Sequence, residues 1–131
     1  MKEHKDLLKL VKLAAEDTKV KGKFEVSFNL VNSEEIRKIN KEYRNVDKST
    51  DVLSFPQMET FNEVTDMGDI FINKDILESQ AKEIGSDKST EIKFLFMHGL
   101  LHLIGYDHIT EDEYKIMRKK EKEFFKKANI R

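Results

Sequence analysis

The N-terminal part of the chain alternates between two kinds of hydrophobic spacing. Residues 3–19 place apolar side chains three and four positions apart, the period of a helix with one buried face. Residues 24–30 alternate apolar and polar side chains, as a half-buried strand does. The helical period returns to about residue 44, after Asn32 and Ser33, which are suited to capping a helix. The chain is therefore predicted to open with a helix, a strand and a second helix.

The middle of the chain is predicted to form strands and then a helix. The apolar run 52–55 is followed by Pro56, the only proline, which predicts a short strand ending there. We expect the polar residues 57–67 to form a connection that can fold back as a hairpin. Residues 68–73 are predicted as the next strand, and residues 74–85 resume helical spacing and end on a glycine.

The C-terminal part of the chain is predicted to contain two helices. Residues 87–104 are apolar on nearly every side, which indicates a buried helix, and Gly105 marks its end. Thr110 with Glu113 three residues later forms a capping-box pattern that begins the last helix. The order of elements is α, β, α, β, β, α, α, α, which predicts an α+β fold of about five helices packed on a small sheet.

Composition limits the size and class of the protein. A chain of 131 residues supports one hydrophobic core, so we expect a single domain over residues 1–131. Zero cysteines exclude disulfides, thiol nucleophiles and thiolate metal ligands. The lack of a signal-peptide core or a long apolar run predicts a cytoplasmic protein with no membrane partner.

The charge is distributed unevenly, although the formal net charge is only -1. Residues 115–131 contain eight lysines or arginines against two glutamates. Such a segment is compatible with a nucleic-acid partner, and a solvated helix face is the alternative interpretation.

Three of the four histidines, His98, His102 and His108, lie within eleven residues. Helix positions i and i+4 share a face, so the first two imidazoles can reach one ion, and the turn after Gly105 can present the third. For any single histidine, a buried and hydrogen-bonded core residue is the alternative interpretation. Three nitrogen ligands leave a zinc ion with an open position, where the pKa of water falls to about 7. The spacing predicts one Zn²⁺ ion and a hydrolytic reaction.

The same spacing occurs in metzincin proteases, His-Glu-x-x-His-x-x-Gly-x-x-His, in which the glutamate is the general base. Gly99 occupies that position here. Because glycine cannot transfer protons as that glutamate does, the sequence favours phosphodiester hydrolysis over peptide hydrolysis. A metal ion and good positioning of the substrate can supply most of that chemistry. Peptide or amide hydrolysis with a base such as Asp107 is one alternative. Asp107 has two further interpretations, orienting an imidazole or capping the turn.

Three segments resemble the YbeY family of metal-dependent endoribonucleases. They are Tyr43-Arg44-x-x-Asp47 leading to Thr50-Asp51-Val52-Leu53-Ser54-Phe55-Pro56, then Gly68-Asp69-Ile70, and finally His98-Gly99-x-Leu101-His102-Leu103-x-Gly105-Tyr106-Asp107-His108. The resemblance implies that His98, His102 and His108 bind zinc. It also implies that Arg44 is the basic residue of the active-site groove, and that the sheet is mixed with about four strands.

The resemblance further implies a single-strand-specific, zinc-dependent endoribonuclease. Its role would be ribosomal RNA maturation at the 16S 3′ end and ribosome quality control, with an rRNA precursor and the ribosomal subunit as partners. The guanidinium of Arg44 would pair with phosphate and stabilise the negative charge that develops in the transition state. The alternative interpretation is that Arg44 bonds the carbonyls at the end of its own helix. A second alternative function is a non-catalytic ribosome-assembly factor in which a fourth protein ligand closes a structural zinc site.

Ser49, Ser54 and His4 are expected to have no catalytic role. Ser49 stands where the family usually has proline, which is expected to loosen a turn. Ser54 is interpreted as a strand residue because no base partner accompanies it as a nucleophile. His4, among charged residues, is expected on the surface.

Overall fold

The computed structural model describes residues 2–19, 21–85, 87–107 and 110–128 of the chain. Within them the elements are α1 (Lys2–Thr18), β1 (Lys23–Val31), α2 (Ser33–Arg44), β2 (Val52–Phe61), β3 (Val64–Asn73), α3 (Lys74–Ile84), α4 (Lys88–Leu103) and α5 (Glu111–Lys127). This confirms the predicted α+β class and the order of elements. The side chain of His4 lies outside the described residues.

The described strands form one mixed sheet of three, in the order β1-β3-β2. The central strand β3 pairs in parallel with β1 and antiparallel with β2. The expectation of about four strands is not met in the described part of the chain. All strand-forming sequence between α2 and α3 is used in two long strands of ten residues each, which leaves no segment for a fourth.

Strand β2 continues past Pro56, so the prediction that it ends there is wrong. Edge strands tolerate proline because one side of their backbone needs no ladder partner, and β2 is at the edge of this sheet. The pairing register shifts just after Pro56, and Met58 there has a φ of 51°. Asn62 and Glu63, with φ of 51° and 65°, form the tight turn to β3. The segment 57–67 is thus a hairpin.

Helix α4 lies at the centre of the core. Met97, Leu100 and Leu101 are completely buried, and the helix packs on β2 and β3 on one side and on α1 and α3 elsewhere. Asp87 caps its first turn by accepting a hydrogen bond from the backbone N–H of Thr90 at 2.8 Å. The last turn of α4 is therefore closely packed on the sheet.

Asn73, fully buried at the end of β3, anchors the loop between α2 and β2. Its side-chain nitrogen approaches the hydroxyls of Ser33 and Ser49 at 3.0 and 3.1 Å and the carbonyl of Thr50 at 3.1 Å. Its side-chain oxygen accepts from the backbone N–H of Asp75 at 3.0 Å, at the start of α3. Ser49, which we expected to loosen the turn, is therefore held by a buried side chain.

Candidate metal centre

His98 and His102 lie one turn apart on α4 and direct the same ring atom at each other. Their Nε2 atoms are 3.2 Å apart, and the rings are nearly perpendicular at 78°. Two nitrogens bound to a tetrahedral zinc at 2.0–2.1 Å would be separated by about 3.3–3.4 Å. The separation of the two imidazoles therefore fits two ligands of one ion.

The opposite side of the His98 ring faces a carboxylate. Nδ1 of His98 lies 3.4 Å from Oε1 of Glu121 on α5, and Glu121 is only 6% exposed. A carboxylate beside Nδ1 favours the tautomer that is protonated there, which leaves the Nε2 lone pair for a metal. Sequence reasoning missed Glu121. The available signal was an acidic residue in the buried stripe of α5, between Met117 and Phe124.

His108, the third predicted ligand, lies outside the described residues. No three histidine, cysteine, aspartate or glutamate side chains form a metal-binding group in the part of the chain that the structure describes. The ligand triplet therefore stays a prediction. Gly105, at a φ of 105°, turns the chain back after α4, and the backbone N–H of Tyr106 bonds Leu101 O at 2.9 Å.

Tyr106, two residues before His108, is fixed by a polar network. Its hydroxyl donates to Asp17 on α1 at 2.9 Å, and Lys120 on α5 donates to the same carboxylate at 2.9 Å. Partial burial acts to raise the pKa of Asp17, but these two hydrogen bonds and the positive charges of Lys120 and Lys127 together outweigh it, and the pKa is lowered. The hydrogen bond to Asp17 raises the pKa of Lys120, and burial together with that carboxylate raises the pKa of Tyr106. The network holds the chain leading to His108 against two helices.

Gly99 is located where α4 approaches the sheet most closely. A β carbon at this position would lie 3.0 Å from Ser54 Oγ and 3.0 Å from Ile70 Cγ2. The hydroxyl of Ser54 donates to the Gly99 carbonyl at 3.0 Å, which gives the buried Ser54 a packing role. A glutamate, as in the metzincins, has no room at this face of the helix.

An open cleft of about 780 Å³ lies beside the two histidines. Its walls are Asn40, Arg44, Val46, Thr50, Asp51, Val52, Leu53, Ser54, Pro56, His98, His102, Gly105, Tyr106 and Asp107. The structure thus brings Arg44 and the two described histidines to one cleft. Asp107 also borders it, and its three interpretations, as a base, as a residue that orients an imidazole and as a cap of the turn, remain predictions.

Arg44 extends from the end of α2 across to β2. Its Nη2 donates to the Ser54 carbonyl at 2.5 Å, and the guanidinium lies 5.2 Å from the centre of the Phe55 ring. The end of α2 is closed by the backbone N–H of Asn45, which bonds Lys41 O at 3.1 Å. Arg44 therefore bonds the sheet rather than capping its own helix.

The exposed basic residues of α5 supply positive charge. Lys115 and Lys127 form ion pairs with Glu111 and Glu123, one turn away in each case. Other exposed basic residues, which we call the basic face, are Arg118, Lys119, Lys122 and Lys126. Among the described residues, no helix has the length and apolar character needed to cross a membrane.

Comparison with known proteins relates this chain to one named family. A family model described as Endoribonuclease YbeY matches residues 2–129. Proteins of that name from Caldanaerobacter subterraneus subsp. tengcongensis and Bacillus licheniformis are 41% and 43% identical to it, each over 95% of this chain and 87% and 85% of the relative. The solution structure of TM1509 from Thermotoga maritima aligns with a TM-score of 0.52 at 31% identity, covering 94% of this chain and 84% of that one.

Proposed function

Because this chain belongs to the YbeY family of endoribonucleases, we propose that it hydrolyses phosphodiester bonds within RNA at the cleft beside His98 and His102. The observation that carries the proposal is the 3.2 Å separation of the two Nε2 atoms, which suits two ligands of one zinc ion. His108 is proposed as the third ligand. A bound zinc ion supplies Lewis-acid activation of water and stabilises negative charge.

Arg44 is proposed to bind the phosphate that reacts. A guanidinium has five N–H donors, so the one that bonds Ser54 leaves others for phosphate oxygens. Contact with Phe55 and with the β2 carbonyl holds the plane of the guanidinium in place before substrate arrives. A preorganised cation of this kind stabilises the charge that develops on the phosphate in the transition state.

Tyr43 supports a preference for single strands. Its side chain is 68% exposed next to Arg44, and its ring packs edge-on against Phe55 at 5.7 Å. An exposed aromatic ring can stack on an unpaired base, whereas a base within a duplex is already stacked. The basic face of α5 is proposed to contact the phosphates of a longer strand.

We propose ribosomal RNA precursors, and in particular the 3′ end of 16S rRNA, as the substrate, with action on the ribosomal subunit in its maturation and quality control. This substrate implies a cytoplasmic site of action. A metallopeptidase is disfavoured because the position of the metzincin general base is Gly99, packed against Ser54 and Ile70. A non-catalytic assembly factor would tolerate loss of Arg44, which the experiment below tests.

The test uses purified, zinc-loaded protein with a labelled single-stranded RNA, the same sequence as a duplex, and the DNA equivalent. We expect cleavage of the single-stranded RNA and a loss of about 10²–10³ in rate for Arg44→Ala, the scale seen when one charge-stabilising donor is removed. Arg44 is exposed, so circular dichroism should show a folded variant. Intact RNA with protein shown to hold zinc, or full activity of His98→Ala, would refute the proposal.

The ribosomal substrate has its own test. Cells in which the chromosomal copy carries Arg44→Ala should accumulate 16S rRNA with an unprocessed 3′ end, measured by mapping RNA ends. Normal 3′ ends in those cells, together with activity lost in vitro, would show that the 3′ end of 16S rRNA is not the substrate.

A further inference from the structure

We infer that Glu121 is a positioning residue of the metal centre, whose carboxylate orients the His98 imidazole and strengthens it as a ligand. The inference rests on the proposed function, because it concerns the same zinc ion. Glu121 would not touch the ion or the RNA. It would act through Nδ1 of His98, which it approaches to 3.4 Å.

Glu121 is a buried carboxylate. The residue is 6% exposed and shares its stripe of α5 with Met117 and Phe124, which contact the apolar core. Burying a carboxylate costs free energy unless a donor compensates it. The imidazole of His98, when protonated at Nδ1, is placed to be that donor.

The His98 ring is oriented with one nitrogen towards Glu121 and the other towards His102. Nδ1 faces Glu121 while Nε2 faces Nε2 of His102, so the two sides of one imidazole have separate partners. Carboxylates that accept from the far nitrogen of a metal-bound imidazole fix its tautomer and raise its basicity. The arrangement of Glu121, His98 and His102 matches this role.

Glu121 lies on α5 next to a second residue that reaches this region of the protein. Lys120, its neighbour in sequence, bonds Asp17, which in turn accepts from Tyr106, two residues before His108. Two consecutive residues of α5 therefore contact this region, Glu121 at His98 and Lys120 at Asp17, which accepts from Tyr106. Docking of α5 on α1 and α4 is coupled in this way to the orientation of His98 and of Tyr106.

The experiment measures zinc affinity by competition with a chelator of known affinity, using the full chain. Glu121→Gln keeps an acceptor and removes the charge, whereas Glu121→Leu removes both and suits the apolar stripe. We expect zinc affinity to fall about 10–100-fold in these variants, and Glu121→Leu should bind zinc less tightly than Glu121→Gln. Glu111→Gln is the matched control, since Glu111 lies on the same helix but is exposed and pairs with Lys115, one turn away.

A spectroscopic measurement separates orientation from a general loss of stability. Nitrogen-15 spectra of the histidine rings should show His98 of the zinc-loaded wild type protonated at Nδ1, with a slowly exchanging proton, and that proton should exchange faster in both variants. Zinc affinity within about twofold of wild type in both variants, with unchanged His98 signals, would overturn the role of Glu121 alone. A wild type that binds no zinc would instead overturn the proposed function.

Discussion

Replacing Gly99 by alanine tests whether α4 is packed on the sheet as closely as the structure indicates. The added β carbon would lie 3.0 Å from Ser54 Oγ and 3.0 Å from Ile70 Cγ2, with Ile70 Cδ1 at 3.3 Å. Ordinary contacts between such atoms are about 3.5–4.0 Å, so the helix or the strands must move by several tenths of an ångström.

Two opposing terms set the size of the effect. Alanine is favoured over glycine inside a helix by about 1 kcal/mol, while overpacking a close-packed core costs about 1–3 kcal/mol. If Ser54 rotates away, its hydrogen bond to the Gly99 carbonyl is also lost, at about 0.5–1.5 kcal/mol. Together these terms span about 0–3.5 kcal/mol of destabilisation, and we expect a value near the middle of that range, about 1–2 kcal/mol, or a fall in Tm of about 3–8 °C for a domain of this size.

The assay is urea denaturation of Gly99→Ala, Ser54→Ala and the double variant. Because Ser54→Ala removes one of the two closest atoms, Gly99→Ala should cost about 0.5–1.5 kcal/mol less in that background. Thr90→Ala, at an exposed position of α4, is the control and should be neutral or slightly stabilising. The packing argument fails if Gly99→Ala equals or exceeds the wild type in stability, or if the two substitutions are simply additive.

Three further outcomes are expected from the same structure. Tyr43→Ala should raise KM for single-stranded RNA about 5–150-fold, since stacking on one base contributes about 1–3 kcal/mol. Tyr43→Phe should retain the wild-type KM, and equal effects of the two substitutions would rule out stacking. Asp17→Asn should lower the free energy of unfolding at neutral pH, and the difference from the wild type should shrink as the pH falls below about 4. The reason is that the pKa of Asp17 is lowered in the folded protein. Such a carboxylate stabilises the fold above its ordinary pKa of 3.8, and this stabilisation is lost as the pH drops through the folded pKa. Urea titrations across pH measure this, and a pH-independent deficit would contradict it. Asn73→Ala should cost about 2–4 kcal/mol in urea denaturation, because several partly buried hydrogen bonds are lost together, and a cost below about 1 kcal/mol would argue against the anchoring role.

The positions of α2 and α5 show which parts of the fold are predictable. Asn32 with Glu35, and Thr110 with Glu113, form reciprocal capping boxes at the first turns of these helices. Each box depends on residues three apart, so the signal is complete within a few letters of sequence. Pro56 shows the opposite case, because its effect on β2 depends on whether the strand is central or at an edge, which pairing with distant residues decides.

The candidate site divides in the same way. The four-residue spacing of His98 and His102 placed two imidazoles on one helical face, and the spacing alone predicted that. Nothing local indicated that Glu121 would meet His98 across 23 positions, or that Arg44 would bond Ser54 of the neighbouring strand. Caps, helical periods and ligand spacing were determined by the sequence because they involve atoms within one or two turns. The three-stranded sheet, the partner of His98 and the closeness of α4 to the strands were decided only by tertiary structure, because they depend on which distant surfaces pack together.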